Sequence, residues 1–283
     1  MNRKINKTET SSFGVSGRYG HNSEKFYNTN LYHSTNKESN NKQLDQVFPE
    51  DLKNKIICSS SENMCEIPDS SVHLIVTSPP YNVSKEYDQD LTLSEYIELL
   101  ERVFSECHRV LVDGGRIGIN LANVGRKPYI PITDYVSNLM LDKGFLMRGE
   151  IIWNKSASAG GSTAWGSWQS ASNPILRDVH EYILVFSKGF FKRNLSELEK
   201  ENKRNTIARD KFMEWTKSIW TFKTESAKRV KHPAPFPVEL PYRLIQLLSF
   251  SGDVILDPFM GSGSTAIRKF VKMDILVLII NHL

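Results

Sequence analysis

The segment with the clearest chemical potential reads Thr-Ser-Pro-Pro-Tyr-Asn at residues 77–82, directly after an apolar stretch at 72–76. Two consecutive prolines fix the backbone and remove two amide donors, so the turn is stiff and its carbonyl oxygens can accept hydrogen bonds from another molecule. Ser78 adds a hydroxyl group, and Tyr81 adds a flat ring on which a planar ligand can stack. The segment predicts a rigid acceptor site; a purely structural turn with a core tyrosine is the alternative.

A second candidate segment reads Asp-Pro-Phe-Met-Gly-Ser-Gly-Ser-Thr-Ala at residues 257–266, again after an apolar stretch. Gly261 and Gly263 let the backbone approach a ligand closely, and the start of a following helix can receive a carboxylate or a phosphate. The spacing also satisfies a weak dinucleotide pattern. A dinucleotide site is disfavoured because Asp-Pro-Phe-Met separates the strand from the first glycine and the acid expected about twenty positions later is missing.

Both segments need strands to position them. After Phe48, short apolar runs alternate with amphipathic stretches, which predicts an α/β fold with a mostly parallel sheet and helices on both faces. Seven strands are predicted, at residues 55–58, 72–77, 116–121, 149–153, 181–186, 253–257 and 275–280. Helices are predicted at residues 93–111, 132–141 and 242–250 from apolar residues at three- and four-residue spacing. Ligands of such sheets bind beyond the carboxyl ends of the strands, where both candidate segments fall.

Three stretches depart from this alternation. Residues 1–46 are rich in Asn, Ser, Thr, Lys and Gly without an apolar period, which predicts a mostly disordered tail before a single domain at 47–283. Residues 188–217 form a polar, basic insertion, for which a solvated surface is the plainest interpretation. Residues 156–173 form a loop of small residues that carries Trp165 and Trp168, which anchor the loop to the core or contact a ligand.

Composition limits the class of protein. The chain has 283 residues, 40% of them hydrophobic, a formal net charge of +4 and three cysteines. This size and composition can fill a core and exclude a small disulfide scaffold. An odd number of cysteines without paired spacing predicts reduced thiols, no metal site and a cytoplasmic location. No apolar run approaches the ~20 residues that a membrane span needs, so no membrane partner is expected.

The two segments, in this order, resemble the motifs of the amino-methylating DNA methyltransferases that use S-adenosylmethionine. With the Pro-Pro-Tyr motif first and the glycine motif near the C-terminus, the chain is similar to the circularly arranged beta class. The resemblance runs from about Ile56 to Ala266. It includes Arg-Gly-Glu-Ile-Ile-Trp at 148–153, Leu-Arg-Asp-Val-His-Glu at 176–181 and His-Pro-Ala-Pro-Phe-Pro at 232–237. It implies a Rossmann-like methyltransferase fold with circularly ordered motifs.

The resemblance also implies roles for individual residues. The turn that holds the target base corresponds to Ser78, Pro79, Pro80 and Tyr81. The residues implied to bind S-adenosylmethionine are Asp257, Pro258, Phe259, Gly261, Gly263 and Thr265, together with His232, Pro233 and Phe236 of the preceding segment and Ser60 after the first strand.

A serine at the first position of this turn is associated in the family with methylation of the N4 amino group of cytosine, so this reaction on double-stranded DNA is our leading hypothesis. Ser78 Oγ and the Pro79 carbonyl would hold the hydrogens of the amine. The base must be flipped out of the duplex at a cost of a few kcal/mol, which stacking on Tyr81, worth ~1–3 kcal/mol, offsets. Methylation of adenine N6 is the first alternative, a catalytically impaired DNA-binding relic the second, and a nicotinamide dehydrogenase a distant third.

Two positions depart from the family pattern. Ser60 stands where members commonly have an aspartate that contacts the adenine of the cofactor. Ile280 stands near the acid that binds the ribose hydroxyls, and the sequence stops at Leu283 before a further helix. These departures predict a C-terminally truncated member that binds S-adenosylmethionine weakly.

The expected partners are double-stranded DNA and a cognate restriction endonuclease that acts on the same site. The insertion at 188–217 is the candidate DNA-recognition region, with the Trp165 and Trp168 loop as a second place. Basic side chains of the insertion are expected to contact phosphates, which fixes position without reading sequence. These side chains are Lys192, Arg193, Lys203 and Arg204. The oligomeric state and the recognition sequence do not follow from the sequence.

Overall fold

The structure is a computed structural model that describes residues 8–9, 21–22, 27–33, 35, 37–81, 90–156, 166–195, 197–224, 237–261, 263, 265 and 275–280. The chain forms two compact units, Met1–Lys37 and Glu38–Leu283. In the first unit, Thr8–Glu9 pairs in parallel with His21–Asn22, and a short helix covers Asn30–His33. Residues 38–46, assigned to the tail from the sequence, belong to the second unit, where the Gln43 backbone N–H donates to Asp113 Oδ2 at 2.7 Å.

An eight-stranded sheet forms the centre of the second unit. Its strands are β1 (Ile56–Cys58), β2 (Val72–Thr77), β3 (Leu111–Leu121), β4 (Phe145–Asn154), β5 (His180–Lys188), β6 (Ile219–Thr221), β7 (Val254–Asp257) and β8 (Ile275–Ile280). Their order across the sheet is β6-β4-β5-β3-β2-β7-β8-β1. Only β5 runs antiparallel to its neighbours in this sheet. We call the edge at which the seven parallel strands end the carboxyl edge, and the opposite one the amino edge.

The prediction of a mostly parallel sheet is confirmed, and a strand forms at each of the seven predicted positions. The predicted number of strands is wrong, because β6 adds an eighth at the edge of the sheet beside β4. Ile219–Thr221 is too short to show an alternating pattern and follows a polar segment. Its central residue, Trp220, is nevertheless 1% exposed, so tertiary packing rather than local pattern makes this strand.

Helices cover both faces of the sheet, as predicted. The α-helices in the described part of the second unit are α1 (Leu93–Val110), α2 (Ile132–Asp142), α3 (Glu197–Asn202), α4 (Arg209–Trp215) and α5 (Glu239–Leu248). α1 begins with a capping box in which Thr92 and Glu95 satisfy each other's backbone donors. Successive residues of β5 enter opposite cores: Leu184 joins the core that includes α1 and α2, and Ile183 joins the core that includes α5.

The insertion at 188–217 leaves the sheet at the amino edge, because β5 is reversed and ends there. It contains α3 and α4 and returns to the same edge to start β6. Arg193 Nη1 and Lys203 Nζ each lie 2.6 Å from the carboxylate of Asp253, just before β7. The side chains of Arg193 and Asp253 are 2% and 0% exposed. Two of the four cations predicted to bind phosphates therefore form a buried ion-pair network.

Electrostatics support this structural role. Burial alone would raise the pKa of Asp253, but its neighbours His73, Arg193 and Lys203 outweigh burial and lower it to about 2. Burial lowers the pKa of His73 to about 3, so its ring is neutral near pH 7. The two cations thus hold the buried carboxylate in its charged form. Lys192 and Arg204, in contrast, are exposed. Among the described residues, no helix is long and apolar enough to cross a membrane.

Replacing Arg193 with alanine should destabilise the fold rather than weaken DNA binding selectively. Removal of Arg193 leaves the negative charge of Asp253 buried with one fewer positive charge to balance it. Breaking a buried ion pair in this way typically costs about 3–5 kcal/mol of folding free energy. Lys192→Ala, on the exposed neighbour, is the matched control and should change stability by less than about 0.5 kcal/mol. Urea unfolding measures both. An Arg193→Ala protein with unchanged stability and weaker DNA binding would contradict the structural role.

Candidate active site

The two candidate segments meet at the carboxyl edge. β2 and β7 are neighbours in the sheet, with Leu74 opposite Ile255 and Ile75 opposite Leu256. Because both strands run in the same direction, the Pro-Pro-Tyr turn after β2 and the glycine turn after β7 emerge side by side. The sheet thereby joins segments that lie about 180 residues apart in the sequence.

The carboxylate of Asp257 links the two turns directly. Its Oδ1 accepts hydrogen bonds from Thr77 Oγ1 at 3.0 Å and from the Phe259 backbone N–H at 3.1 Å. Its Oδ2 accepts from Thr265 Oγ1 at 2.6 Å. Burial raises the pKa of Asp257 to about 6, although these three donors favour the charged form. The last residue of β2 and the first residues after β7 are thus fixed to one buried carboxyl group.

The backbone of the glycine turn depends on its two described glycines. Gly261 and Gly263 have φ values of +50° and +76°, a region that side chains rarely adopt, and the Gly263 N–H donates to the Met260 carbonyl at 2.9 Å. A Cβ atom at Gly263 would meet no heavy atom of the described residues within 4 Å, so the requirement for glycine there is conformational. Ser61 Oγ donates to the Pro258 carbonyl at 2.5 Å, which fastens the loop after β1 to this turn.

The structure distinguishes Ser60 from Ser61. Ser60 is exposed, and its Oγ lies 3.3 Å from Glu62 Oε1, whereas Ser61 is buried against the glycine turn. A cofactor contact by Ser60 stays a prediction. The backbone register of β8 places Ile280 opposite Cys58 at the carboxyl edge, beyond the level of Asp257. His232, Pro233 and Phe236 lie outside the described residues.

The Pro-Pro-Tyr turn keeps one of its proline carbonyls available. The Pro80 carbonyl accepts a hydrogen bond from Tyr96 Oη at 2.7 Å, which ties the turn to α1. Within the described part of the chain, no donor reaches the Pro79 carbonyl. Ser78 is half-buried beside it. The turn can therefore offer the Pro79 carbonyl and the Ser78 hydroxyl to a donor on another molecule.

A polar cluster lies behind Ser78 and consists of Ser78, Tyr81, Asn120 and Glu181. Asn120 Nδ2 donates to Glu181 Oε2 at 2.7 Å and to Tyr81 Oη at 3.1 Å, and lies 3.4 Å from Ser78 Oγ. Tyr81 Oη also lies 3.2 Å from Glu181 Oε2. Burial and the adjacent Glu181 carboxylate raise the pKa of Tyr81, so its hydroxyl keeps its proton. These contacts fix the orientation of the Tyr81 ring.

Two further features of the cluster bear on what it can bind. Lys155 Nζ pairs with Glu181 Oε1 and balances its charge. Asn120 is 2% exposed, and its Oδ1 is a buried acceptor without a donor among the described residues. Buried acceptors are nearly always satisfied, so the partner of this oxygen lies outside the described residues, and a donor on a bound molecule can fill that role. The site is suited to holding a group that presents N–H hydrogens.

Sequence reasoning missed Asn120, Lys155, Ser61 and the role of Glu181. Asn120 was visible as a polar residue near the end of an apolar strand, and Glu181 stands in a segment that the resemblance singled out. Neither signal places these residues beside Ser78. Glu181 lies there because β5 runs antiparallel to its neighbours and therefore starts at the carboxyl edge. Ser78, Tyr81, Asp257 and Thr265, which were predicted, do come together at that edge.

Asp257 should make stability fall as the pH rises through its folded pKa. The folded chain holds this proton up to about pH 6, while the unfolded chain releases it near 3.8. The contribution of Asp257 to stability is therefore greatest at low pH and declines between these values. Asp257→Asn keeps an acceptor for the Phe259 N–H without the charge. Its stability relative to the unmodified chain should rise by up to about 3 kcal/mol from pH 4 to pH 7 in urea unfolding. A relative stability that is constant with pH would contradict the buried carboxylate.

Comparison with known proteins agrees with this geometry. The model of the N6/N4 DNA methylase family matches residues 72–268. The Type II methyltransferase M.MthZI from Methanothermobacter thermautotrophicus is 30% identical over 244 residues, which cover 75% of this chain and 68% of that protein. The DNA adenine methyltransferase YhdJ from Escherichia coli (strain K12) is 30% identical over 253 residues, 81% of this chain and 80% of that protein.

A solved structure shows the same fold. The DNA modification methylase TTHA0409 from Thermus thermophilus, complexed with S-adenosyl-L-methionine, is 28% identical, with a TM-score of 0.61 over 80% of this chain and 87% of that chain. The matched residues 72–268 include both the Pro-Pro-Tyr turn and the glycine turn. The resemblance inferred from the motifs is confirmed, and the chain belongs to the N6/N4 family of amino-methylating DNA methylases.

Proposed function

We propose that the chain transfers a methyl group from S-adenosylmethionine to the N4 amino group of cytosine in double-stranded DNA, as a site-specific enzyme of a restriction-modification system. The observation that carries this proposal is the adjacency of the two turns. Thr77, which precedes Ser78, donates a hydrogen bond to Asp257 at the start of the glycine turn. This hydrogen bond connects the segment that carries the acceptor groups of Ser78 and Pro79 with the glycine turn. A methyl donor and a methyl acceptor bound at the two turns would therefore be neighbours.

The residues of the glycine turn fit S-adenosylmethionine. The turn is anchored by Asp257 and Ser61, its backbone is open above Gly263, and the relative TTHA0409 is complexed with this cofactor. When bound, S-adenosylmethionine supplies an electrophilic methyl group. The described residues proposed to hold it are Asp257, Pro258, Phe259, Gly261, Gly263 and Thr265, with Ser60 beside them. His232, Pro233 and Phe236 complete the proposed set.

The polar cluster fits an exocyclic amine of a base. Such an amine has two hydrogens, and both must be held so that its lone pair points towards the methyl group. Ser78 Oγ and the Pro79 carbonyl are suitable acceptors, and the unpaired Asn120 Oδ1 is a third buried acceptor in the same place. After methylation the amine must release one proton, and Glu181, whose Oε2 lies 2.7 Å from Asn120 Nδ2, is the carboxylate of the cluster that can accept it.

Tyr81 is the proposed stacking platform for the flipped base. Its hydroxyl is fixed by Asn120 and Glu181, so the ring is already oriented before a base arrives. A pre-oriented ring loses little conformational entropy on binding, which leaves more of the stacking free energy to offset the cost of flipping. The reaction needs no covalent bond between the protein and the base.

Methylation of adenine N6 is the second candidate, and one observation favours it. The relative YhdJ, 30% identical over 81% of this chain, is a DNA adenine methyltransferase. Cytosine is favoured by the association of serine at position 78 with N4 methylation. Relatives named Type II methyltransferases support a partner restriction endonuclease with the same recognition site. A cytoplasmic location stays a prediction.

The modified nucleoside tests the proposal directly. DNA from a methylation-deficient host that expresses the chain should contain N4-methylcytosine when it is digested to nucleosides and analysed by mass spectrometry. N6-methyladenine instead would establish the second candidate. Absence of both, with the purified chain also failing to bind S-adenosylmethionine in calorimetry, would favour the catalytically impaired relic.

Variants at Tyr81 test the base platform. Tyr81→Ala should lower kcat/KM by roughly 5- to 150-fold, because a stacked base contributes about 1–3 kcal/mol. Tyr81→Phe keeps the ring and loses only the hydroxyl contacts, so it should retain most of the transfer. The affinity for S-adenosylmethionine, measured by calorimetry, should stay within a few fold in both variants. An equal loss of cofactor affinity would show that Tyr81 belongs to the cofactor site instead.

A further inference from the structure

Two ordered loops flank the polar cluster at the carboxyl edge and have no role in the chemistry described above. The first is the hairpin loop, residues 122–131, which follows β3 and contains the paired strands Val124–Gly125 and Tyr129–Ile130. The second is the tryptophan loop, residues 166–179, which precedes β5. We propose that these two loops, rather than the insertion at 188–217, grip the DNA duplex around the target base. This inference rests on the proposed function.

Topology separates the insertion from the site. The insertion starts where β5 ends and finishes where β6 begins, and both points lie at the amino edge. Its partner Asp253 immediately precedes β7 at that edge, whereas Asp257 at the other end of the same strand belongs to the site. A flipped base enters at the carboxyl edge, so the duplex around it lies over the loops of that edge. Cations at the amino edge are badly placed to contact its phosphates.

The hairpin loop presents two adjacent cations. Arg126 and Lys127 are both exposed, and neither has an ion pair or a hydrogen bond within the described part of the chain. The base of the loop is fixed, because Asn123 Oδ1 accepts from both the backbone N–H and the hydroxyl of Thr133 at 3.0 Å. Unpaired cations on a fixed loop are suited to phosphate contacts that set the register of a protein on DNA.

The tryptophan loop is closed upon itself and exposes its tip. Gly166 pairs with Pro174, the Ser167 N–H donates to the Asn173 carbonyl at 2.9 Å, and Ser167 Oγ donates to the Ser170 carbonyl at 2.6 Å. A Cβ atom at Gly166 would lie 2.2 Å from the Asn173 carbonyl, so only glycine allows this closure. The turn displays Trp168, 63% exposed, and Gln169, also exposed. Trp165, which the sequence analysis grouped with Trp168, lies outside the described residues.

The chemistry of this tip matches a duplex. A glutamine amide can donate to and accept from an adenine edge in the major groove, and an exposed aromatic ring can stack on or wedge between bases. The tip of the tryptophan loop therefore contacts the base edges and reads the DNA sequence, while the cations of the hairpin loop contact the phosphates.

Both loops adjoin one residue of β5, Tyr182, which stands opposite Leu121 at the end of β3. Tyr182 follows Glu181 on β5, and burial raises its pKa, with Tyr129 of the hairpin loop and Asp178 of the tryptophan loop raising it further. Both loops are thus within electrostatic range of the same phenol beside the active site. Asp134 and Glu150 also act on this group. The acids among these groups repel phosphates, so we assign the expected phosphate contacts of the two loops to Arg126 and Lys127.

Salt-dependent binding to a mixed-sequence duplex tests the charged loop. The double variant Arg126→Ala/Lys127→Ala should bind more weakly on all sequences, and the slope of log K against log salt should decrease by about 1.8, or about 0.9 for each lost contact. The matched control Arg209→Ala/Lys217→Ala removes two exposed cations of the insertion and should leave the slope unchanged. A decreased slope of log K against log salt in the control, together with an unchanged slope in the Arg126→Ala/Lys127→Ala variant, would overturn the inference.

Mapping of methylated sites tests the tip. Gln169→Ala and Trp168→Ala should broaden the set of methylated sequences in a methylation-deficient host, read by sequencing of modified bases. Phe212→Ala removes an exposed aromatic side chain of α4 and is the matched control. An unchanged recognition sequence in both tip variants would overturn the role in reading. An unmodified chain that methylates nothing would instead refute the proposed function, which the nucleoside analysis detects separately.

Discussion

The buried carboxyl group of Asp257 is the interaction on which the site depends. It lies at the end of one strand and accepts hydrogen bonds from the end of the neighbouring strand, through Thr77, and from the glycine turn, through Phe259 and Thr265. Burial makes its charge costly, and its pKa is raised accordingly, yet three donors converge on it. Without this group, the two turns would share an edge of the sheet but have no fixed spacing. The three hydrogen bonds to Asp257 set the position of the two turns relative to each other.

A second constraint is the reversal of β5. In an all-parallel sheet, the first residues of this strand would start at the amino edge, far from Ser78. The antiparallel direction instead brings Glu181 to the carboxyl edge, where Asn120 of β3 and Lys155 after β4 meet it. Two strands, β3 and β5, and the segments that follow β2 and β4 therefore contribute to one polar cluster. The same reversal sends the following insertion to the opposite edge, where its buried cations stabilise Asp253.

The two edges of the sheet differ in their polar groups. At the amino edge, Arg193 and Lys203 pair with the two carboxylate oxygens of Asp253. At the carboxyl edge, Asn120 keeps an unpaired acceptor and the Pro79 carbonyl lacks a donor among the described residues. Ion pairs between buried groups stabilise the fold at the amino edge. The acceptors at the carboxyl edge lie in and beside the Pro-Pro-Tyr turn, where a bound molecule can complete their hydrogen bonds.

The sequence by itself determined the family, seven of the eight strands of the central sheet and the two turns that carry the chemistry. These features follow from local pattern, since apolar runs, paired prolines and glycines act over a few residues. The tertiary structure decided which charges are buried, which edge each loop occupies and which polar groups meet. Arg193 and Lys192 are adjacent and chemically alike, yet one is buried against Asp253 and the other is exposed. Glu181 reaches Ser78 only through the direction of β5. Such outcomes depend on contacts between residues far apart in the chain, and no local pattern encodes them.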